Sequence, residues 1–248
     1  MSSDFILFRD YDHSPMYTYK TLNAIAAEGT NALDEAGFKV VENNFDALVL
    51  RSHKLSVEEF SDNLKCIGRA GAGYNNIPVD EATEKGIVVF NTPGANANAV
   101  KELVVCGLLL ASRGIVQGSV FSSSLESSDD NALNQSVEKA KKTFKGNEVQ
   151  GKTLGIIGLG AIGSMVAQSA ASLGMKIIGY DPHISIDAAW RLPSDVEKAS
   201  SIPALLKKSD YVSIHVPLTD DTKNLIDSDA FMAMKTGTKL ITVSYTHL

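Results

Sequence analysis

One glycine-rich hexapeptide, Gly158-Leu-Gly160-Ala-Ile-Gly163, constrains this chain more than any other feature. Its spacing alone is weak evidence, and its surroundings make it informative. The apolar run Thr153–Ile157 precedes it with strand character, Ile162–Leu173 follows with helical spacing, and a second apolar run, Lys176–Tyr180, ends in Asp181. In such a strand–turn–helix unit Gly158 permits the tight turn. Gly160 lets the backbone approach a diphosphate, and Gly163 lets helix and strand pack closely. The amides of Ala161 and Ile162 then open the helix at its positive end, where anions gather. Asp181 falls about 20 residues after the first glycine, the place from which a carboxylate accepts hydrogen bonds from adenine-ribose hydroxyls. A carboxylate there repels a 2′-phosphate, so the pattern favours NAD over NADP. The competing reading is a tight turn without a ligand.

Short apolar runs alternating with longer helical stretches extend this pattern and predict an α/β protein with parallel strands. Strands are expected at Phe5–Phe8, Ala47–Leu50, Lys65–Arg69 and Val88–Asn91, with helical spacing over Thr18–Ala27 and Val57–Asn63. The turn Asn91-Thr-Pro-Gly94 breaks the chain, and a helix with a broad apolar face is expected from about Ala97 to Arg113. Residues Ser119–Asn134, rich in Ser, Asp and Asn, read as a loop or insertion, and Lys139–Lys142 as a solvated helix face. Farther on, Ser201–Lys208 and Asp227–Met234 read as helical, Asp210–His215 and Thr238–Val243 as strands. The change of pattern places a boundary near residue 97, giving one domain over 1–97 and a second over 98–241. In open parallel sheets ligands sit beyond the carboxyl ends of strands, so His215, Val216 and Pro217 are expected beside the cofactor. The unperturbed pKa of a histidine side chain lies near neutrality, which invites a general-base role for His215; lining an adenosine pocket is the preferred reading.

Bulk properties exclude several classes. A net charge of −6 over 248 residues argues against a general nucleic-acid binder. No apolar run reaches the roughly 20 residues of a membrane span, and Met1–Asp12 lacks the basic-then-apolar order of a secretory leader. Two cysteines, Cys66 and Cys106, make neither a disulfide framework nor a metal cluster, and their apolar neighbours suggest buried thiols. The expectation is a cytoplasmic protein with no metal, no membrane contact and no nucleic-acid partner.

Three blocks in the first half carry a more specific signal: Leu50-Arg51-Ser52, Gly68-Arg-Ala-Gly71-Ala-Gly73-Tyr-Asn-Asn76-Ile77, and Gly86-Ile-Val-Val-Phe-Asn91-Thr-Pro-Gly-Ala-Asn96. With Val100, Glu102 and Gly151-Lys-Thr-Leu-Gly-Ile-Ile-Gly158, they resemble the D-isomer-specific 2-hydroxyacid dehydrogenase family, in particular its phosphoglycerate-oxidising branch. The likeness continues through Met234-Lys-Thr-Gly-Thr-Lys-Leu-Ile241. The resemblance implies a flavodoxin-like substrate domain joined to a Rossmann NAD-binding domain, with NAD as cofactor and a small 2-hydroxy acid as substrate in the cleft between them. It also implies a homodimer or higher oligomer, paired through the helix after residue 97. By the same resemblance Arg51 binds the anionic substrate, for which a guanidinium offers two parallel hydrogen bonds; the competing reading is a surface ion pair. Ser52 and the Gly71–Gly73 turn would line that pocket, Asn96 would give an amide to the substrate or the hinge, and Ala72 would approach the nicotinamide through its backbone.

The resemblance places the catalytic arginine, glutamate and histidine beyond Ile241, where this chain instead reads Thr242-Val-Ser-Tyr-Thr-His-Leu248. The expectation is therefore an incomplete Rossmann domain, a tail over 242–248 that leaves the family, and no catalytic residue in the chain. The chain itself would be an inactive, poorly soluble fragment of an enzyme that oxidises 3-phosphoglycerate to 3-phosphohydroxypyruvate for serine synthesis. Two other readings stay open: another D-2-hydroxy acid as substrate, and a non-catalytic NAD-binding fragment.

Overall fold

The computed structural model describes residues 17–126 and 129–243. The expected strand Phe5–Phe8 and residues 244–248 of the expected tail lie outside them. The chain divides into two compact units between Ala95 and Asn96.

The first unit contains β1 (Tyr17–Leu22), α1 (Ala27–Glu35), β2 (Phe38–Val40), β3 (Ala47–Leu50), β4 (Cys66–Arg69), α2 (Val79–Glu84) and β5 (Val88–Asn91). Its strands are all parallel, in the flavodoxin-like order β2-β1-β3-β4-β5. Leu48, Leu50, Leu55, Ile67, Ile77, Ala82 and Ile87 form its core. The helical reading of Thr18–Ala27 is overturned, because Tyr17–Leu22 is a strand and the helix begins only at Ala27. Here β1 pairs with β2 on one side and β3 on the other, and Tyr19, 2% exposed, is buried by that pairing. The helix expected over Val57–Asn63 shrinks to a 3-10 turn at Val57–Glu59, where Ser56 and Glu59 cap one another's backbone amides.

Asp46 ties the amino ends of three strands together. Its carboxylate accepts hydrogen bonds from the Thr18 amide and hydroxyl, both at 2.9 Å, and pairs with the Lys65 ammonium. The Lys65 contact first, and the Thr18 bonds after it, lower its pKa from 3.8 to about 2.

The second unit contains α3 (Ala97–Ser112), α4 (Ile115–Ser123), α5 (Asp130–Ala140), β6 (Thr153–Ile157), α6 (Ala161–Ser172), β7 (Lys176–Tyr180), α7 (Ile186–Trp190), β8 (Glu197–Lys198), α8 (Ile202–Lys208), β9 (Tyr211–Ile214), α9 (Ser228–Ala233) and β10 (Lys239–Ile241). The parallel strand order is β10-β9-β6-β7-β8. Side chains that alternate along β6 serve different cores: Ile156 packs with Val104, Leu108, Val166 and Ala170, and Ile157 with Leu205, Leu206, Val212 and Ile214. With apolar layers on both faces, β6, β7 and β9 read as near-continuous apolar runs.

Two further expectations are corrected here. The loop expected over Ser119–Asn134 is largely helical, because Ser119–Ser123 belongs to α4 and α5 begins at Asp130. The Asp129 carboxylate accepts from the Asn131 amide, so the Asp/Asn composition marks a helix cap rather than a loop. The cysteines are not buried thiols: Cys66 is half-buried and Cys106 exposed. The buried positions of α3 are Ala97, Val104, Leu108 and Ser112, which leaves Cys106 on another face. Among the described residues no single helix is long and apolar enough to cross a membrane. The pair α3 and α4 reaches that length only across a 71° bend.

The expected outcome for Asp46→Asn follows from its titration. The carboxylate's contribution is complete above about pH 5 and lost as the pH falls through about 2, since its folded pKa lies below the unfolded value. Urea unfolding at pH 7 should show a loss of about 2 kcal/mol, and the difference from the parent should narrow to about half by pH 3.

Candidate functional site

In the second unit the chain runs outward from β6 to β7 and β8, then returns to β9 and β10 on the other side of β6. The reversal falls at the carboxyl ends of β6 and β9, which is where open parallel sheets hold ligands. Gly158 lies there with φ +90°, and a Cβ on it would fall 2.6 Å from the His215 carbonyl oxygen and 2.8 Å from Val216 Cγ1. A Cβ on Gly163 would fall 1.9 Å from the Gly158 carbonyl oxygen. Gly160 is different. It is exposed, and a Cβ there would meet nothing within 4 Å.

Among the described residues no side chain caps the start of α6. The first amides of a helix have no partner within it, so those of exposed Ala161 and half-buried Ile162 stand at the positive end of the helix beside open space. Half-buried Asp181 closes the other side of the bend: Oδ2 accepts from the Leu159 amide at 2.8 Å and Oδ1 from the His183 amide at 2.9 Å. Each oxygen keeps acceptor capacity for a further donor. An exposed loop of amides flanked by an anchored carboxylate can hold a diphosphate and a sugar diol at once. Half-buried His215 donates its amide to the Ile157 carbonyl at 2.7 Å, and its Nε2 lies 2.8 Å from the Ser213 hydroxyl. Val216 is half-buried, and exposed Pro217 accepts from the Thr222 hydroxyl at 2.5 Å.

The first unit has its own reversal, between β1 and β3. Arg51 and Ser52 leave β3 at that point, both exposed. Arg69 ends the neighbouring strand, in register with Leu50. Burial first, and the like charge of Arg51 second, hold the Arg69 pKa below its ordinary value. The Arg69 guanidinium folds over the glycine turn so closely that a Cβ on Gly71 would fall 1.5 Å from Nη1. Nη1 donates to the Ala70 carbonyl at 3.3 Å, while Nε is buried without a partner among the described residues. The turn is latched to the end of β5: the Gly71 amide donates to the Thr92 hydroxyl at 2.6 Å, and the Asn91 amide group donates to the carbonyl of exposed Ala72 at 2.7 Å. Among the described residues neither Arg51 nor Arg69 forms an ion pair with a carboxylate.

Arg51, Ser52 and Ala72 thus share the carboxyl edge of one sheet, and the bend residues share that of the other. Asn96 belongs to the second unit, where it heads α3, is exposed, and accepts the Val100 amide at 3.0 Å. Arg69 escaped the sequence reading; its signal was the glycine two positions later, whose missing side chain makes room for the guanidinium. Among the described residues no three His, Cys, Asp or Glu side chains are placed to share a metal ion.

Two family profiles match this chain. The D-isomer specific 2-hydroxyacid dehydrogenase catalytic domain covers residues 10–173, and the NAD binding domain of the same family covers residues 120–247. The chain belongs to this family. It is 42% identical over 193 residues to a D-3-phosphoglycerate dehydrogenase of Methanocaldococcus jannaschii, which covers 77% of this chain and 34% of that protein. It is 41% identical over 199 residues to a hydroxypyruvate reductase of Thermotoga maritima, covering 79% of this chain and 59% of that protein. The chain therefore spans about a third of the first relative and under two thirds of the second. The NAD+-bound 3-phosphoglycerate dehydrogenase of Entamoeba histolytica superposes with a TM-score of 0.70 at 27% identity, over 91% of this chain and 71% of that one. A dehydrogenase family with an NAD-binding domain agrees with what the bend can hold.

The glycines of the bend separate fold from binding. Gly163→Ala should destabilise the second unit by about 1–3 kcal/mol, the usual cost of forcing an atom into a packed site. Gly160→Ala should leave thermal stability within about 0.5 kcal/mol of the parent and weaken NAD binding about tenfold, that is by about 1.4 kcal/mol, as read by calorimetric titration.

Proposed function

We propose that the whole protein oxidises 3-phosphoglycerate to 3-phosphohydroxypyruvate with NAD, and that the two arginines of the first unit hold the substrate's anionic groups. One observation carries this reading. Arg51 and Arg69 lie on adjacent strand ends, near enough for one charge to disfavour the other, and among the described residues no carboxylate is paired to either. A ligand with both a carboxylate and a phosphate relieves that repulsion, whereas lactate brings a single negative charge. Guanidiniums suit both groups because their fork matches two oxygens at once. The names of the Methanocaldococcus and Entamoeba relatives support the same substrate.

In this reading the Ala161 and Ile162 amides hold the diphosphate across Gly158, Gly160 and Gly163, and Asp181 accepts from the ribose hydroxyls. His215, Val216 and Pro217 line the adenosine side. Ser52 and Asn96 contact the substrate, and the Ala72 backbone faces the nicotinamide. Bound NAD supplies the hydride acceptor for the substrate C2. A second reading, reduction of an unphosphorylated 2-oxo acid, is favoured by the name of the Thermotoga relative. Calorimetric titration of the NAD-loaded protein separates the two. 3-Phosphoglycerate should bind at least about tenfold more tightly than D-glycerate, a gap of about 1.4 kcal/mol, and Arg69→Gln should remove the difference. Equal affinities for the two ligands would favour the second reading.

The protein is further proposed to pair as a homodimer through α3. That helix leaves Leu103 59% and Leu110 40% exposed, seven positions apart and so on one face, with Leu109 39% exposed beside Leu110; exposed apolar side chains gathered in this way mark protein contacts. Light scattering should give twice the chain mass for the parent and a monomer for Leu103→Lys combined with Leu110→Lys.

A further inference from the structure

Arg51 does not sit in regular structure. It opens a short turn that leaves β3 where the strand order of the first unit reverses, and two asparagines from distant parts of the sequence hold that turn. From the end of β1, Asn23 Oδ1 accepts the Ser52 amide at 3.1 Å and the His53 amide at 2.7 Å. From beyond the glycine turn, Asn76 Nδ2 donates to the His53 carbonyl at 2.6 Å and the Arg51 carbonyl at 3.3 Å. The main chain of Asn76 adds a third link, its carbonyl accepting the Leu55 amide at 2.9 Å. Two amides and two carbonyls of a turn are thus held from opposite sides by carboxamides.

Both asparagines carry marks of a constrained position. Asn23 has φ +70°, the left-handed region that non-glycine residues seldom occupy and that asparagine tolerates best. Asn76 Oδ1 is buried without a partner among the described residues. Reversing that carboxamide would set its oxygen against the two carbonyls it now serves, so its orientation is determined. Neither feature stabilises a strand or the apolar core. Backbone strain and orphaned polar atoms concentrate where structure is committed to binding.

We propose that Asn23 and Asn76 are positioning residues: they clamp the Arg51–His53 turn so that the Arg51 guanidinium is held ready for the substrate's anionic group. This rests on the reading of Arg51 as a substrate-binding residue. A guanidinium on a free turn would have to order the turn as it binds, which weakens affinity, whereas a clamped turn has met that entropy cost in folding.

The test uses 3-phosphoglycerate as the probe, with NAD affinity and thermal melting measured on the same samples. Asn23→Ala and Asn76→Asp should each weaken 3-phosphoglycerate binding about tenfold or more while NAD binding, held in the second unit, stays unchanged. Asn23→Asp keeps the acceptor oxygen and should restore binding; Asn23→Gly relieves the backbone but lacks the acceptor and should not. If Asn23→Gly binds as well as the parent, the clamp is wrong and only backbone conformation matters at that position. Hydrogen exchange in the parent protein needs no variant: slow exchange at the Ser52 and His53 amides is expected, and exchange at the rate of free amides overturns the clamp. Arg51→Gln separates the two claims. If it binds 3-phosphoglycerate like the parent, the anion reading itself falls and the positioning role with it. If Arg51→Gln weakens binding and Asn23→Ala and Asn76→Asp do not, the clamp alone falls.

Discussion

Helix α6 leaves strand β6 so steeply that a single methyl group on Gly163 would collide with the Gly158 carbonyl oxygen, 1.9 Å away. The rest of the second unit follows from that contact. Because the helix starts this close to the strand, its first amides emerge at the sheet's carboxyl edge instead of being covered by a loop. Because Gly158 is pressed against His215 and Val216, the bend is also locked to the strand across the point where strand order reverses. Asp181 completes the arrangement by accepting the Leu159 amide inside the bend. A carboxylate tied to the backbone in this way has already lost most of its freedom, so a donor that it accepts would meet a smaller entropy cost.

The two units apply one topological rule with opposite chemistry. In each, a parallel sheet reverses its strand order, and the candidate binding residues lie at its carboxyl edge beside that reversal. In the second unit the edge offers main-chain amides and one carboxylate, which suits a ligand recognised by shape and phosphate charge. In the first it offers two guanidiniums on neighbouring strand ends, which suits small anions of variable form. Amides are uncharged and fixed by the fold, so they hold any diphosphate equally. Guanidiniums carry full charge on long stems, and their number and spacing select among substrates.

How well an element could be read from sequence tracked how it is buried. Strands β6, β7 and β9 have apolar layers on both faces, so each appears as a near-continuous apolar run. Strand β1 does not: Tyr17-Thr-Tyr-Lys-Thr-Leu22 mixes polar and aromatic residues because its ends carry side-chain contacts such as Thr18 to Asp46 and Lys20 to Glu42. That polarity hid the strand within a helical pattern. The start of α5 was hidden for a related reason, since Asp129 and Asn131 serve as cap and capped residue and resemble loop composition. Cys106 was misread because a 16-residue helix rich in apolar residues does not disclose which of its faces meets the core.

By itself the sequence determined the strand–glycine–helix unit, its partner Asp181, the α/β class and the family, because each depends on residues close together in the chain. Glycine spacing and the acidic residue after the next strand need no distant partner to be informative. Tertiary structure alone decided which side chains gather around Arg51. Asn23, Arg69 and Asn76 come from separate stretches and meet only because β1, β3 and β4 are adjacent in the sheet. Strand adjacency is a property of how the whole chain packs its apolar faces, and no local pattern encodes it.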